Sequence, residues 1–190
     1  MNYLGHIYFS SSHELAIANL FGDVVKGSSF HHFPEIIQQG IVLHRKIDNF
    51  MDQHVAVKHC CSIIRAELPK VAPIAMDIYF DHLLAKKWNA FHSTPYTEFL
   101  HAFYQEIERS KSSYPESFQQ FLSNMIQFNW LSVYGESYGL YKMCQGVSHK
   151  LSFKNALTDG HSVFYRHEKL IESAFYEYMR DADEYFAVKK

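Results

Sequence analysis

The sequence predicts an all-α fold, a compact helical bundle in a single domain spanning 1–190. Three observations carry this expectation. Apolar residues recur at three- and four-residue spacing in almost every window. Alternating strand patterns do not persist. Proline, glycine and Asp-Gly signals cut the chain into helix-length pieces joined by short connections.

In order, a first helix is expected from Glu14 to Lys26, stopped by Gly27, with a loop from Ser28 to Pro34. A second runs from about Glu35 to His54. A third covers the Cys60 region and ends before Pro69, and a fourth reaches from Pro73 to Trp88. Thr94 followed by Pro95 reads as a capping hydroxyl and a proline at the first helical position. The apolar stripe Phe99, Leu100, Phe103, Tyr104 and Ile107 follows it. Pro115 opens the next helix, with Phe118, Phe121, Leu122, Met125 and Phe128 on one face. Ser137 to Val147 forms a shorter helix ended around Gly146. Asp159-Gly160 is a turn, and one last helix carries Val163, His167, Leu170, Ile171, Ala174, Phe175 and Tyr178.

The bulk numbers bound the function. With 190 residues the chain can bury one ordinary core. A net charge of −2 argues against a general nucleic-acid binder. Hydrophobic residues make up 47% and charged residues 20%, which excludes a disordered chain. Cys60, Cys61 and Cys144 form neither a disulfide framework nor a zinc-thiolate motif. No signal-peptide pattern and no bilayer-spanning run is visible, so a soluble, cytoplasmic protein without a membrane partner is expected.

Polar groups stand where core residues belong. Ile37, Ile41, His44, Asp48 and Met51 share one helical face. Ile74, Asp77, Asp81, Leu84 and Trp88 share another, with His82 beside Asp81. Asn19 and Asp23 lie four apart in the first helix. Burying an unpaired carboxylate costs several kcal/mol, and carboxylates one turn apart repel. A divalent cation could neutralise several at once. Each group also has a plain reading: Asp23 as a helix cap or satisfied core acid, His44 with Asp48 as a structural pair, and His6 as a core histidine. Asp77 with Asp81 favours a metal, since adjacent like charges need a reason. No P-loop, dinucleotide fingerprint, nucleophile elbow or HExxH helix is present.

These residues carry a resemblance. The segments Met1-Asn2-Tyr3-Leu4-Gly5-His6, Asn19 to Gly27, Gly40 to Asp48 and Ala72 to Leu84 resemble, in order and spacing, those of acyl carrier protein phosphodiesterases. The likeness covers essentially the whole chain, with its motifs before Trp88. It implies hydrolysis of the phosphodiester joining 4'-phosphopantetheine to a serine of holo acyl carrier protein, with a divalent cation, typically manganese. It also implies kinship with HD-type metal phosphohydrolases, although this chain has Asp81-His82 in reverse order and no adjacent His-Asp pair.

The expected metal ligands are Asp23, His44, Asp48, Asp77 and Asp81, with His6 and Asn19 behind them. This donor set suits manganese, magnesium or iron. His82 is a candidate general acid or base, and Arg45 a candidate for the non-bridging phosphoryl oxygens. Lys86 and Lys87 are candidates for docking the acidic carrier protein, or else ordinary solvated residues at a helix end. Two other readings stay open: a phosphohydrolase acting on a small phosphoester or nucleotide, and a non-catalytic carrier-protein-binding module.

Overall fold

The computed structural model describes residues 1–187 and is all-α, with ten α-helices and four short 3-10 turns but no strand among the described residues. In chain order the helices are α1 (Tyr3–Tyr8), α2 (His13–Phe21), α3 (Glu35–Gln53), α4 (Val55–Ile64), α5 (Ala72–Lys86), α6 (Tyr96–Ser110), α7 (Glu116–Gln127), α8 (Ser137–Lys150), α9 (Gly160–Arg166) and α10 (Glu168–Tyr185).

The centre of the bundle is α5. Eleven of its fifteen residues are buried, which fits a helix that is apolar nearly all round. It packs against α1, α4, α8 and α10. One core cluster extends from Met1 to Ala182. At its heart the rings of Tyr79, Phe80, Phe164, Phe175 and Tyr178 meet edge-on or tilted, and Tyr79 donates from its hydroxyl to Gly160 O at 2.7 Å.

Beside this core, α2 lies across α3 in the most extensive helix contact of the molecule. Gly40 permits it. A methyl group added there would come within 2.3 Å of the Ala18 backbone. The crossing sets Asn19 of α2 against His44 of α3.

Several boundaries differ from the sequence expectation. α1 was not foreseen. The helix expected over Glu14–Lys26 is α2, capped by the Ser12 hydroxyl, which accepts from Leu15 N. It ends a turn early, at Phe21, so Asp23 stands beyond its end. Thr94 does not cap α6. Pro95 itself occupies the capping position with extended backbone, as Pro34 and Pro115 do before α3 and α7. A proline ring fixes φ near its helical value while ψ stays extended, and its carbonyl accepts the first helical N–H. Phe128 is 61% exposed rather than buried, because α7 stops at Gln127. α8 runs through Gly146 to Lys150, since nothing packs against that glycine to turn the chain. The expected last helix is two, broken at His167, whose ring is drawn to Glu67 at 2.6 Å. Gly160 opens α9 instead of forming a turn.

Candidate metal centre

Three elements converge on one cavity of about 460 Å³. α1 supplies Tyr3 and His6, α3 supplies His44, Asp48 and Asp52, and α5 supplies Asp77. Asp23 lines the same cavity from the turn after α2, and Val147, Lys150 and Leu151 close it from the end of α8.

The densest group is His6, His44 and Asp48, whose donor atoms lie within 4.8 Å of one another. His6 Nε2 and His44 Nε2 each stand 3.2 Å from a different oxygen of the Asp48 carboxylate. The two imidazoles stack with centroids 4.1 Å apart. Burial holds His6 neutral, pulling its pKa down to about 4 against the hydrogen bond that its ring donates to Asp48. Burial pushes Asp48 upward, but the hydrogen bonds of His44 and His6 outweigh it and hold the carboxylate ionised far below its usual range.

The surrounding hydrogen bonds test whether a cation fits. Asn19 is fully buried and donates through Nδ2 to His6 O at 3.0 Å and Ser10 Oγ at 3.1 Å. Its Oδ1 is therefore the atom that faces His44 Nδ1, at 3.2 Å. The ring therefore donates from Nδ1 to Asn19, and its Nε2 faces the Asp48 carboxylate either carrying a proton or as a lone pair open to a metal ion. A proton or a metal ion on that side would each satisfy the carboxylate oxygen. His6, His44 and Asp48 could hold a divalent ion, with Asn19 behind His44 as the outer orienting partner. The donors are imidazole and carboxylate without thiolate, which fits manganese, magnesium or iron.

The other expected site residues divide. Asp77 faces the cavity, with its Oδ1 3.1 Å from the Met1 amino group, which is 3.8 Å from Asp48. Burial raises the Asp77 carboxyl pKa despite that amine. Asp23 reaches the cavity rim but is largely exposed and lies 3.9 Å from Lys26. Asp81 turns away: its fully buried carboxylate accepts from Leu4 N at 2.7 Å and Gly5 N at 3.0 Å, in the first turn of α1. Burial raises its pKa to about 7, against the pull of the Met1 amino group and those amides.

His82 lies outside the cavity lining. It bonds through Nδ1 to Tyr134 O at 2.7 Å and meets the Phe164 ring edge-on, and burial lowers its pKa to about 4. Arg45 is also elsewhere, donating to Val25 O and Gly27 O and lying 4.9 Å over Phe30, so it pins the loop before α3. Lys86 and Lys87 pair with Glu168 and Glu172 of α10 and do not line the cavity. Two lining residues were missed. Asp52 continues the His44, Asp48 series by one more turn, a signal the spacing held. Lys150 gave none, since α8 was expected to end before it.

The family model described as acyl carrier protein phosphodiesterase matches residues 1–182. Proteins of that name from Enterobacter sp. (strain 638) and Klebsiella pneumoniae (strain 342) are 26% and 27% identical over 180 residues, covering 94% of this chain and 93% of theirs. One from Pectobacterium atrosepticum is 30% identical over 138 residues, 72% of each chain. No solved structure matches. A match over nearly the full length places the chain in the acyl carrier protein phosphodiesterase family.

Proposed function

We propose that this chain is a phosphodiesterase that hydrolyses the bond joining 4'-phosphopantetheine to a serine of holo acyl carrier protein, using a divalent cation held by His6, His44 and Asp48. The observation that carries the reading is the convergence of those three side chains, with Asn19 fixing the ring of His44, at the floor of the cavity. Asp23, Asp52 and Asp77 stand on the same walls and are available to complete the coordination. Asp81, His82 and Arg45 receive no direct role, since none of them lines the cavity.

When bound, the cation would polarise a phosphoryl oxygen and lower the pKa of water. The chain's own part is to hold it and to orient the diester. Water oxygen forms the new bond to phosphorus, the bond from phosphorus to the seryl oxygen breaks, and a proton ends on the serine. The products are apo carrier protein and 4'-phosphopantetheine. We assign manganese as the working metal, supported by the donor chemistry and the resemblance of the motif segments. The helical bundle supports the implied kinship with HD-type phosphohydrolases. The shared core supports one domain over the chain. No helix among the described residues is long and apolar enough to cross a membrane, which supports a cytoplasmic location.

The test is a mass spectrum of holo carrier protein after incubation with the protein and manganese. Loss of the phosphopantetheine mass is expected, and Asp48→Asn is expected to lower the rate at least about 100-fold through the lost anionic ligand. Cleavage of free nucleotides or other small phosphoesters with holo carrier protein untouched would instead favour the small-substrate reading.

A further inference from the structure

The cavity walls carry four carboxylates, from Asp23, Asp48, Asp52 and Asp77. A phosphodiester is itself an anion, so such a mouth repels its own substrate unless a cation other than the metal meets it. Two cationic groups stand on these walls: the Met1 amino group, already paired with Asp77 and Asp48, and the ammonium at the end of α8. Lys150 lines the cavity, and no carboxylate stands within ion-pairing distance of it among the described residues. Its Nζ instead donates to the Tyr3 hydroxyl at 3.3 Å and lies 5.9 Å from the centre of that ring. The C-terminal end of a helix favours a positive charge there.

Tyr3 is placed to aim it. The ring is held edge-on against Phe121 at 5.3 Å. Tyr3 and His6 are one turn apart on α1, so their side chains share a face. Lys150, Tyr3 and His6 thus line one cavity. Val147 and Leu151, three residues before and one after Lys150, bring apolar surface to the same wall.

We propose that Lys150 binds the non-bridging phosphoryl oxygens of the substrate, with Tyr3 as its positioning residue, and that Val147 and Leu151 border the uncharged pantetheine arm. The inference rests on the reading above for the identity of the ligand, and its test does not depend on turnover. Lysine is a point-charge phosphate binder, so a charged replacement should substitute in part and a neutral one should not.

The test uses the full chain, with and without manganese, and calorimetric binding of 4'-phosphopantetheine and of pantetheine lacking the phosphate. Lys150→Gln is expected to weaken 4'-phosphopantetheine at least about tenfold and leave pantetheine and manganese affinity within twofold. Lys150→Arg should recover most of the loss, and Tyr3→Phe should fall between. On holo carrier protein, Lys150→Gln should raise KM more than it lowers kcat. Unchanged 4'-phosphopantetheine affinity in Lys150→Gln would overturn the proposal, as would an equal loss for pantetheine or no 4'-phosphopantetheine binding by the wild type. If the wild type binds 4'-phosphopantetheine through Lys150 yet leaves holo carrier protein intact, the lysine stands and the activity reading falls.

Discussion

Asn19 offers nothing to a cation directly, yet it decides which nitrogen of His44 is free to bind one. Its amide donates twice to α1 and the segment after it, so its single oxygen can only accept from His44 Nδ1. Asn19→Ala should lower manganese affinity about 10- to 100-fold, the usual size of an outer-partner effect. It should also cost about 1–3 kcal/mol, because buried acceptors lose their donors. A metal titration well below the unfolding midpoint separates the two effects. At this scale the sequence was informative where one helix sufficed. His44 and Asp48 stood out as polar residues on an apolar stripe, and both reach the cavity. Asp77 and Asp81 stood out by the same rule and went different ways. Periodicity gives the angle around a helix and not the neighbour met at that angle. Asp77 meets the cavity, while Asp81 meets the backbone amides of a helix that the sequence had not announced.

Helix starts were legible wherever proline marks them, to within a residue at Pro34, Pro95 and Pro115. Helix ends were less so. The length of α8 and the break between α9 and α10 depend on what lies alongside, such as Glu67 waiting for Arg166 and His167. The close crossing of α2 and α3 shows how an element boundary governs the site. Gly40 sits where an added methyl would come 2.3 Å from the Ala18 carbonyl carbon and 2.6 Å from Asn19 N. Backbone cannot swing aside as a side-chain tip can. Gly40→Ala should therefore destabilise the fold by about 1–3 kcal/mol or more. It should also weaken manganese binding, because it separates Asn19 from His44. Urea unfolding and a metal titration on the same variant check both halves, and loss of stability with unchanged metal affinity would uncouple them.

Over the whole molecule, the all-α architecture was readable from periodicity, whereas the near-complete burial of α5 was not, since only one stripe of that helix was read from its spacing. What the sequence could not give was the environment of buried ionisable groups on that helix, which no local pattern encodes. His82 is 1% exposed, and its folded pKa of about 4 lies below the ordinary value of 6.5. The unfolded chain therefore binds a proton that the folded one refuses between those values. This contribution to stability is fully present above pH 6.5 and is lost as pH falls toward 4, by roughly 3 kcal/mol at about 1.4 kcal/mol per unit. Replacing His82 by Gln keeps a donor for Tyr134 O and removes the titration. Unfolding curves at pH 7 and pH 4 should show the wild type losing more stability than His82→Gln across that interval. A parallel loss in both would place the acid sensitivity elsewhere, for example at His6, whose pKa is lowered to the same degree.

The carboxylate of Asp81 holds the amides of Leu4 and Gly5 from 77 and 76 residues away along the chain. α1 has only six residues, too few to persist as a helix by itself. It forms where α5 and α2 receive it, through the Asp81 carboxylate on its first amides and the Asn19 amide on His6 O, and these contacts bring His6 to the metal group. The ligand set is therefore completed by contacts between segments far apart in the chain, which belong late on the folding path. A cation bound to the finished set would act on the native side of the barrier. It would slow unfolding and leave the folding rate nearly as it was, so that the metal guards the completed protein without helping to build it.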